Sequence, residues 1–396
     1  MIRLPKLGEY DAQPWEKPFA ERLRSFYRIR AAGKQVAVLL YSAADTSTFR
    51  YRCYNVMQLL EQSSRWGAVY FFEAELERVA GLLDKTDLLV ITRMKWSVEL
   101  SMLAARAKSK GIPVLFDVDD MVFDLENIGI ITNTLAVNLR SEEAYDFWFA
   151  YLARIQQAAA LAQGYLTTNP YLGKKLSEKF GAPYQVIPNT LNREQLEVSR
   201  RVLEQKQAAT DRSATFQIGY FSGTPSHIND FLVVYKELMA LMERYEDISL
   251  IVVGFMEFPA EMQPLLQSGR VRFAPLVDFI ELQRLIAQVD VNLVPLVNNS
   301  FTNCKSELKY FEAAVVDTVT VATPIYTYAN SIRNGVNGFL CRPGEWYGTL
   351  ERLYLKKEDT AAICRAARED ALMRYSGEAA VRQIEQAYDS FVRERT

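Results

Sequence analysis

The feature that most constrains this chain is an alternation that runs almost its whole length. Short apolar runs are each followed by a stretch with helical spacing, and then by the next apolar run. In the first half the runs fall at residues 35–41, 68–72, 88–92, 114–117, 165–168 and 184–188. In the second half they fall at 216–221, 248–254, 271–273, 291–295 and 319–322. Strands alternating with helices demand parallel sheets, because a parallel partner can be reached only by a crossover connection. A length of 396 residues suits two or three domains. The expected fold class is therefore α/β, with two domains each built on a parallel sheet. The first domain is expected over 1–190 and a polar, charged linker over 191–213. The second domain is expected over 214–375, and a last helix over 376–396.

Composition narrows the function. An apolar fraction of 49% is that of an ordinary globular protein. A formal net charge of −2 argues against bulk nucleic-acid binding. The four cysteines, Cys53, Cys304, Cys341 and Cys364, are too scattered to suggest a metal site or a disulfide framework. A single histidine, His227, makes a histidine-based metal site improbable. No signal peptide and no membrane-spanning apolar run stand out, so a cytoplasmic protein is expected. Residues 15–30 read as a helix made basic by Arg22, Arg24, Arg28 and Arg30. Packing on its own domain is one reading of that helix. A peripheral contact with anionic lipid at the inner face of the membrane is the other.

Ligands of open α/β sheets bind beyond the carboxyl ends of the strands. In the first half three features fall there: the loop and helix start carrying Arg50 and Arg52, then Arg93 with Lys95, and the string FDVDDMVFD with Asp117, Asp119, Asp120 and Asp124. Such a carboxylate cluster can bind a divalent metal, act as a base or hold sugar hydroxyls. It can equally be a helix cap and a turn. In the second half, Gly223 and Thr224 form a tight turn after a strand, and His227 leads into a helix. Residues 303–323, NCKSELKYFEAAVVDTVTVAT, read as a loop, a helix and a buried strand. Leu308, Phe311, Glu312 and Val315 recur at helical spacing, and Ser306 is placed to cap the first turn. Unpaired amides at that helix start, through Ser306, Glu307 and Leu308, together with Lys305, suit a phosphate. Glu312, two turns on, suits sugar hydroxyls. An ordinary helix with a solvated Lys and Glu is the plainer alternative.

The same stretch resembles the donor-binding segment of family 4 glycosyltransferases, which have the GT-B fold, and so implies two Rossmann-like domains with parallel sheets facing a central cleft. Lys305, Ser306, Leu308, Lys309 and Glu312 match a K-S-x-L-K-x-x-E pattern found in one branch of that family. Glu312-Ala313-Ala314 and Val321-Ala322-Thr323 match the alanine-rich helix and strand end that follow. Cys304 stands where the family's first glutamate would contact the transferred sugar. Asp117 to Phe123 resembles a D-x-D-D-x-x-F segment of the amino-terminal domain, and Gly335 to Leu340 a later turn and strand.

The resemblance implies transfer of a sugar from a nucleoside diphosphate sugar to a saccharide or lipid-linked acceptor, without a metal or other cofactor and with retention of configuration. It assigns Gly223, Thr224, His227, Lys305, Ser306, Glu307, Leu308 and Glu312 to the donor. It assigns Asp119 and Asp120 to catalysis, and Arg50, Arg52 and Arg93 to the acceptor side or cleft. A sugar-nucleotide epimerase, a GT-B protein that binds without catalysis, and a dinucleotide oxidoreductase are the rival readings. The last lacks any G-x-G-x-x-G after a strand.

Overall fold

The computed structural model describes residues 4–5, 10–45, 47–137, 141–209, 215–223, 228–254, 256 and 258–392. Twelve strands are present among them. Those of the first domain are β1 (Gln35–Tyr41), β2 (Trp66–Phe72), β3 (Leu88–Thr92), β4 (Val114–Val118), β5 (Gly164–Thr167) and β6 (Tyr184–Val186). Those of the second are β7 (Phe216–Ser222), β8 (Ile248–Gly254), β9 (Val271–Ala274), β10 (Val291–Val294), β11 (Val319–Ala322) and β12 (Phe339–Leu340). Every strand pairing is parallel. The central strands are buried along nearly their full length, which is why they read as continuous apolar runs rather than alternating ones.

The two sheets are wound differently. The first has the order β2-β1-β3-β4-β5-β6, so its strand order reverses between β1 and β3. The second, read as β9-β8-β7-β10-β11-β12, reverses between β7 and β10. A crevice opens at the carboxyl ends of the strands where the winding reverses. In the first domain that point lies between the segment after Tyr41 and Arg93. In the second it lies between Gly223 and the loop that leads to Lys305.

The stretch expected as a linker is largely one helix, Arg193–Ala208. Asn192 caps it by accepting from the Gln195 amide, and its Val198 and Val202 are buried in a core shared with Phe279 and Ile286. The Gly377–Asp389 helix packs on the first domain. Asp389 accepts from the Trp66 indole at 2.9 Å, Glu385 accepts from Ser63 at 2.6 Å, and Gln383 donates to the Val186 carbonyl at 3.1 Å.

One glycine is required by close approach. Gly254 ends β8 at φ +111°, and a β-carbon there would lie 1.6 Å from the Ser222 carbonyl oxygen. The end of β7, which leads into Gly223, is thereby held against β8. Among the described residues no helix is long and apolar enough to cross a membrane.

Candidate functional site

The first domain's wall of the cleft is built of charges that pair with one another. Beyond β1 the chain makes a π-helical turn, Arg50–Tyr54, all of it buried, before the Asn55–Leu60 helix. Such turns recur at functional sites because the wider spacing re-aims successive side chains. Arg52 grips Asp117 with two bonds of 2.7 and 2.9 Å, and donates to the Ile187 carbonyl at 2.6 Å. Burial pushes the Asp117 carboxyl up against the pull of Arg52. Arg93 ends β3 at φ +46°, a left-handed conformation that costs a non-glycine residue energy. Its guanidinium donates to Asp119 at 3.0 Å, to the Thr48 hydroxyl at 3.0 Å and to the Tyr151 hydroxyl at 3.3 Å. Thr48 in turn donates to Asp119 at 2.9 Å. Burial opposes ionisation of Asp119, but Arg93, Arg52 and the Thr48 bond outweigh it and hold the carboxyl below its usual range.

The aspartates expected as one cluster therefore do not converge. Asp117 faces Arg52 and Asp119 faces Arg93. Asp124 accepts from Lys179 at 3.1 Å and Asn127 at 2.6 Å. Asp120 reaches across the cleft to Lys305 at 3.2 Å. Each carboxylate has its own cation, and among the described residues no group of three or more such side chains is placed to hold a metal ion.

On the second wall the helix of the 303–323 stretch is short, Leu308–Ala314. Ser306 does not cap it. The flanking residue is Glu307, which makes no side-chain cap, and the Ser306 hydroxyl instead accepts from Asn189 of the first domain at 3.0 Å. Glu307 turns away from the cleft to accept from Tyr375 at 2.7 Å, and burial raises its carboxyl. Leu308 packs against the apolar cluster around Phe311 and Tyr375.

Lys305 and Lys309 are the basic groups of this wall. Lys305 spans the cleft to Asp120 and lies 4.5 Å from the centroid of the Phe301 ring. The Lys309 ammonium lies 5.6 Å from the centroid of the Tyr220 ring, near the end of β7. It makes no hydrogen bond or ion pair with the described residues. Burial, followed by the pull of Asp230 upward and of Lys305 downward, lowers it to about 8.

Glu312 is buried, at 3% exposure, but its partners are protein groups. Tyr51 and Gln195 donate to its carboxylate, Gln195 at 3.0 Å, and Arg50 stands 3.6 Å away. Through Oε1, Glu312 thus ties the second domain to the first and to the Arg193–Ala208 helix. Arg50 also lies over the rings of Tyr51 and Phe279, at 4.0 and 4.6 Å from their centroids. Gly223 is exposed, with open space where a side chain would stand. Thr224 and His227 lie outside the described residues.

With this geometry in view, comparison with known proteins is informative. Residues 216–355 match the family model for glycosyl transferases group 1. The match spans most of the second domain. The chain also resembles solved structures along nearly its whole length. HepE of Anabaena, in complex with UDP, shares 16% identity over 90% of this chain and 99% of its own, with a TM-score of 0.56. A glycosyltransferase from Rickettsia africae ESF-5 shares 13% over 91% and 99%, with a TM-score of 0.58. Sucrose-phosphate synthase from Thermosynechococcus elongatus shares 14% over 90% and 99%, with a TM-score of 0.54. At these identities the likeness is one of fold, and the fold is GT-B. The search of curated proteins by sequence gave no match.

Within the matched stretch, Cys304 is a core residue. Its thiol donates to the Ser300 carbonyl at 3.2 Å, burial pushes its pKa up, and Asn169 of the first domain donates to its carbonyl at 2.9 Å. Lys309 is the member of the site that spacing undervalued: it matched the K-S-x-L-K pattern but was given no role. Tyr51 and Gln195 were missed altogether, since nothing in a lone Tyr or Gln marks it as the partner of a carboxylate over a hundred residues away. The basic N-terminal helix, Phe19–Ala31, packs on the first domain through Phe26, and two of its arginines are consumed. Arg22 pairs with Glu75 at 2.6 Å and Arg30 with Asp87 at 2.5 Å.

Proposed function

We propose that this protein moves a sugar from a nucleoside diphosphate sugar to a hydroxyl of a saccharide acceptor, with the reacting groups in the cleft between the two switch points. The observation that carries the reading is Lys309. A half-buried lysine without a partner among the described residues is costly, and here it stands beside Lys305, near the end of β7, in a domain of glycosyl transferases group 1. As the anomeric carbon–oxygen bond breaks, negative charge grows on the leaving diphosphate. Two fixed ammonium groups stabilise that charge more than they stabilise the ground state. Gly223 leaves room for the phosphates to approach the end of β7. The donor nucleotide to test first is UDP, because HepE was solved with UDP and with UDP-glucose.

Asp119 takes a different part from that of a base. A carboxylate held below its usual range accepts a proton poorly near neutral pH. It suits an acceptor hydroxyl that donates to it and is oriented by it. Asp120 fixes Lys305. Glu312 can join the donor site through Oε2, because its contacts with Tyr51, Gln195 and Arg50 all fall on Oε1. Hexosyl transfer with retention of configuration, by a route that uses no metal, is the finer form of the proposal. It is checked by the anomeric proton of the product and by activity in the presence of a chelator. A lipid carrier on the acceptor, with membrane contact through the exposed Arg24 and Arg28, is checked by flotation with anionic vesicles.

The test is release of UDP from UDP-glucose and UDP-N-acetylglucosamine, with and without added saccharides. Release from at least one donor, lost in Lys309→Ala, supports the reading. No release and no UDP binding would remove it.

A further inference from the structure

The Glu142–Ala159 helix is buried only in its second half, through Leu152, Ile155, Ala158 and Ala159. In its first half, EEAYDFWFAY, Trp148 and Tyr151 pack against the core, while Tyr145, Phe147 and Phe149 are exposed. Phe147 is 57% exposed. Its ring lies parallel to that of Tyr151, one turn on, at 7° between planes and 6.0 Å between centroids. The exposed ring of Phe147 thus extends the half-buried ring of Tyr151 outward, and Tyr145 and Phe149 on the same helix half are exposed as well.

What singles out this pair is its position. The Tyr151 hydroxyl accepts from Arg93, and the same guanidinium holds Asp119 and Thr48. The Lys95 ammonium stands 5.3 Å from the centroid of the Tyr151 ring. The aromatic surface therefore starts at the cleft wall and runs outward from it, flanked by hydrogen-bonding groups. Its backbone anchor, Arg93 at φ +46°, is strained where strain tends to accompany function.

We propose that Phe147 and Tyr151 form the platform on which a saccharide acceptor rests, with one of its hydroxyls delivered to Asp119. The inference rests on the transferase reading given above and names the acceptor side of that site. A pyranose ring presents a face of C–H groups with partial positive charge, which matches the negative face of an aromatic ring. Its rim of hydroxyls requires polar partners, and Arg93, Lys95 and Asp119 supply them at the inner end. Stacking alone is tolerant of sugar identity, because every pyranose has such a face. A lipid surface fits less well: the exposed side of this helix half carries Glu142, Glu143 and Asp146, which an anionic membrane would repel.

The test is saturation-transfer NMR on the full chain with UDP present, using methyl β-glucoside, methyl β-galactoside and methyl α-mannoside as probes. The parent chain is expected to saturate the ring protons of at least one of them. Phe147→Ala, at an exposed position that the core does not need, is expected to weaken that sugar by roughly threefold to tenfold. Tyr151→Phe keeps the ring face and is expected to retain most of the signal, whereas Tyr151→Ala loses it. Saturation of no sugar by the parent, or an unchanged signal in Phe147→Ala, overturns the platform. So does co-sedimentation with phosphatidylglycerol vesicles that Phe147→Ala abolishes. UDP calorimetry on the parent chain separates the two claims: binding of UDP with no sugar response removes only the platform, and no binding of UDP removes the donor reading itself.

Discussion

The two walls of the cleft treat charge in opposite ways. On the first wall most of the charges near the cleft have a counterpart: Arg52 with Asp117, Arg93 with Asp119, and Lys179 with Asp124, while Lys95 lies over the Tyr151 ring. On the second wall Lys309 has none among the described residues, and burial lowers its pKa to about 8. A largely paired wall offers directed hydrogen bonds, which suits a neutral, hydroxyl-bearing acceptor. An unpaired ammonium is a standing cost that an anion relieves, which suits the diphosphate of a donor. On the proposed reading, the second wall takes the donor and the first the acceptor.

Four substitutions sharpen or break that comparison. The largest effect is expected for Arg52→Ala, which strands Asp117 in the core. Removing one member of a buried pair costs about 3–5 kcal/mol, read as a lower midpoint in urea. A loss below about 1 kcal/mol would mean that the first wall is not held by its pairs. Lys309→Met comes next and should act in opposite directions on stability and binding. UDP affinity should fall roughly tenfold to a hundredfold, while the thermal midpoint stays or rises, because a buried charge has been removed.

The pH dependence of the parent follows from the same group. Its folded pKa is lowered, so between about 8 and the ordinary lysine value the unfolded chain binds more protons. Stability from this group therefore rises with pH through that window, while UDP affinity falls because the ammonium deprotonates. Tyr51→Phe should cost about 1 kcal/mol by deleting one donor to Glu312, and it should leave UDP binding unchanged or tighter if Tyr51 competes with ribose. Weaker UDP binding in that variant would place Tyr51 itself on the nucleotide. Asp120→Asn is expected to have the smallest effect on stability, below about 1 kcal/mol, since its pair with Lys305 is partly open to solvent.

Much of this was legible in the sequence, because parallel strands buried on both faces leave continuous apolar runs and helices between them leave their own period. The runs at 35–41, 88–92, 216–221 and 319–322 agree with β1, β3, β7 and β11 to within a residue. The switch points were not legible, since strand order is not written in any local pattern. The aspartate string looked like one cluster because four carboxylates lie within eight residues, yet backbone geometry sends them to four different cations. Ser306 looked like a cap, and a side chain from residue 189 took its hydroxyl instead. Glu312 was found by its motif, but its partners Tyr51 and Gln195 come from far along the chain, where spacing carries no information.

The most direct test of the assignment of walls to substrates is calorimetry of UDP and UMP with the parent chain at about pH 7 and again at about pH 9.5. UDP should bind more tightly than UMP at the lower pH, because only UDP places a second phosphate between Lys305 and Lys309. The gap should narrow at the higher pH, as Lys309 loses its proton. Equal affinity for the two nucleotides at the lower pH, or a gap that does not change with pH, would contradict the account.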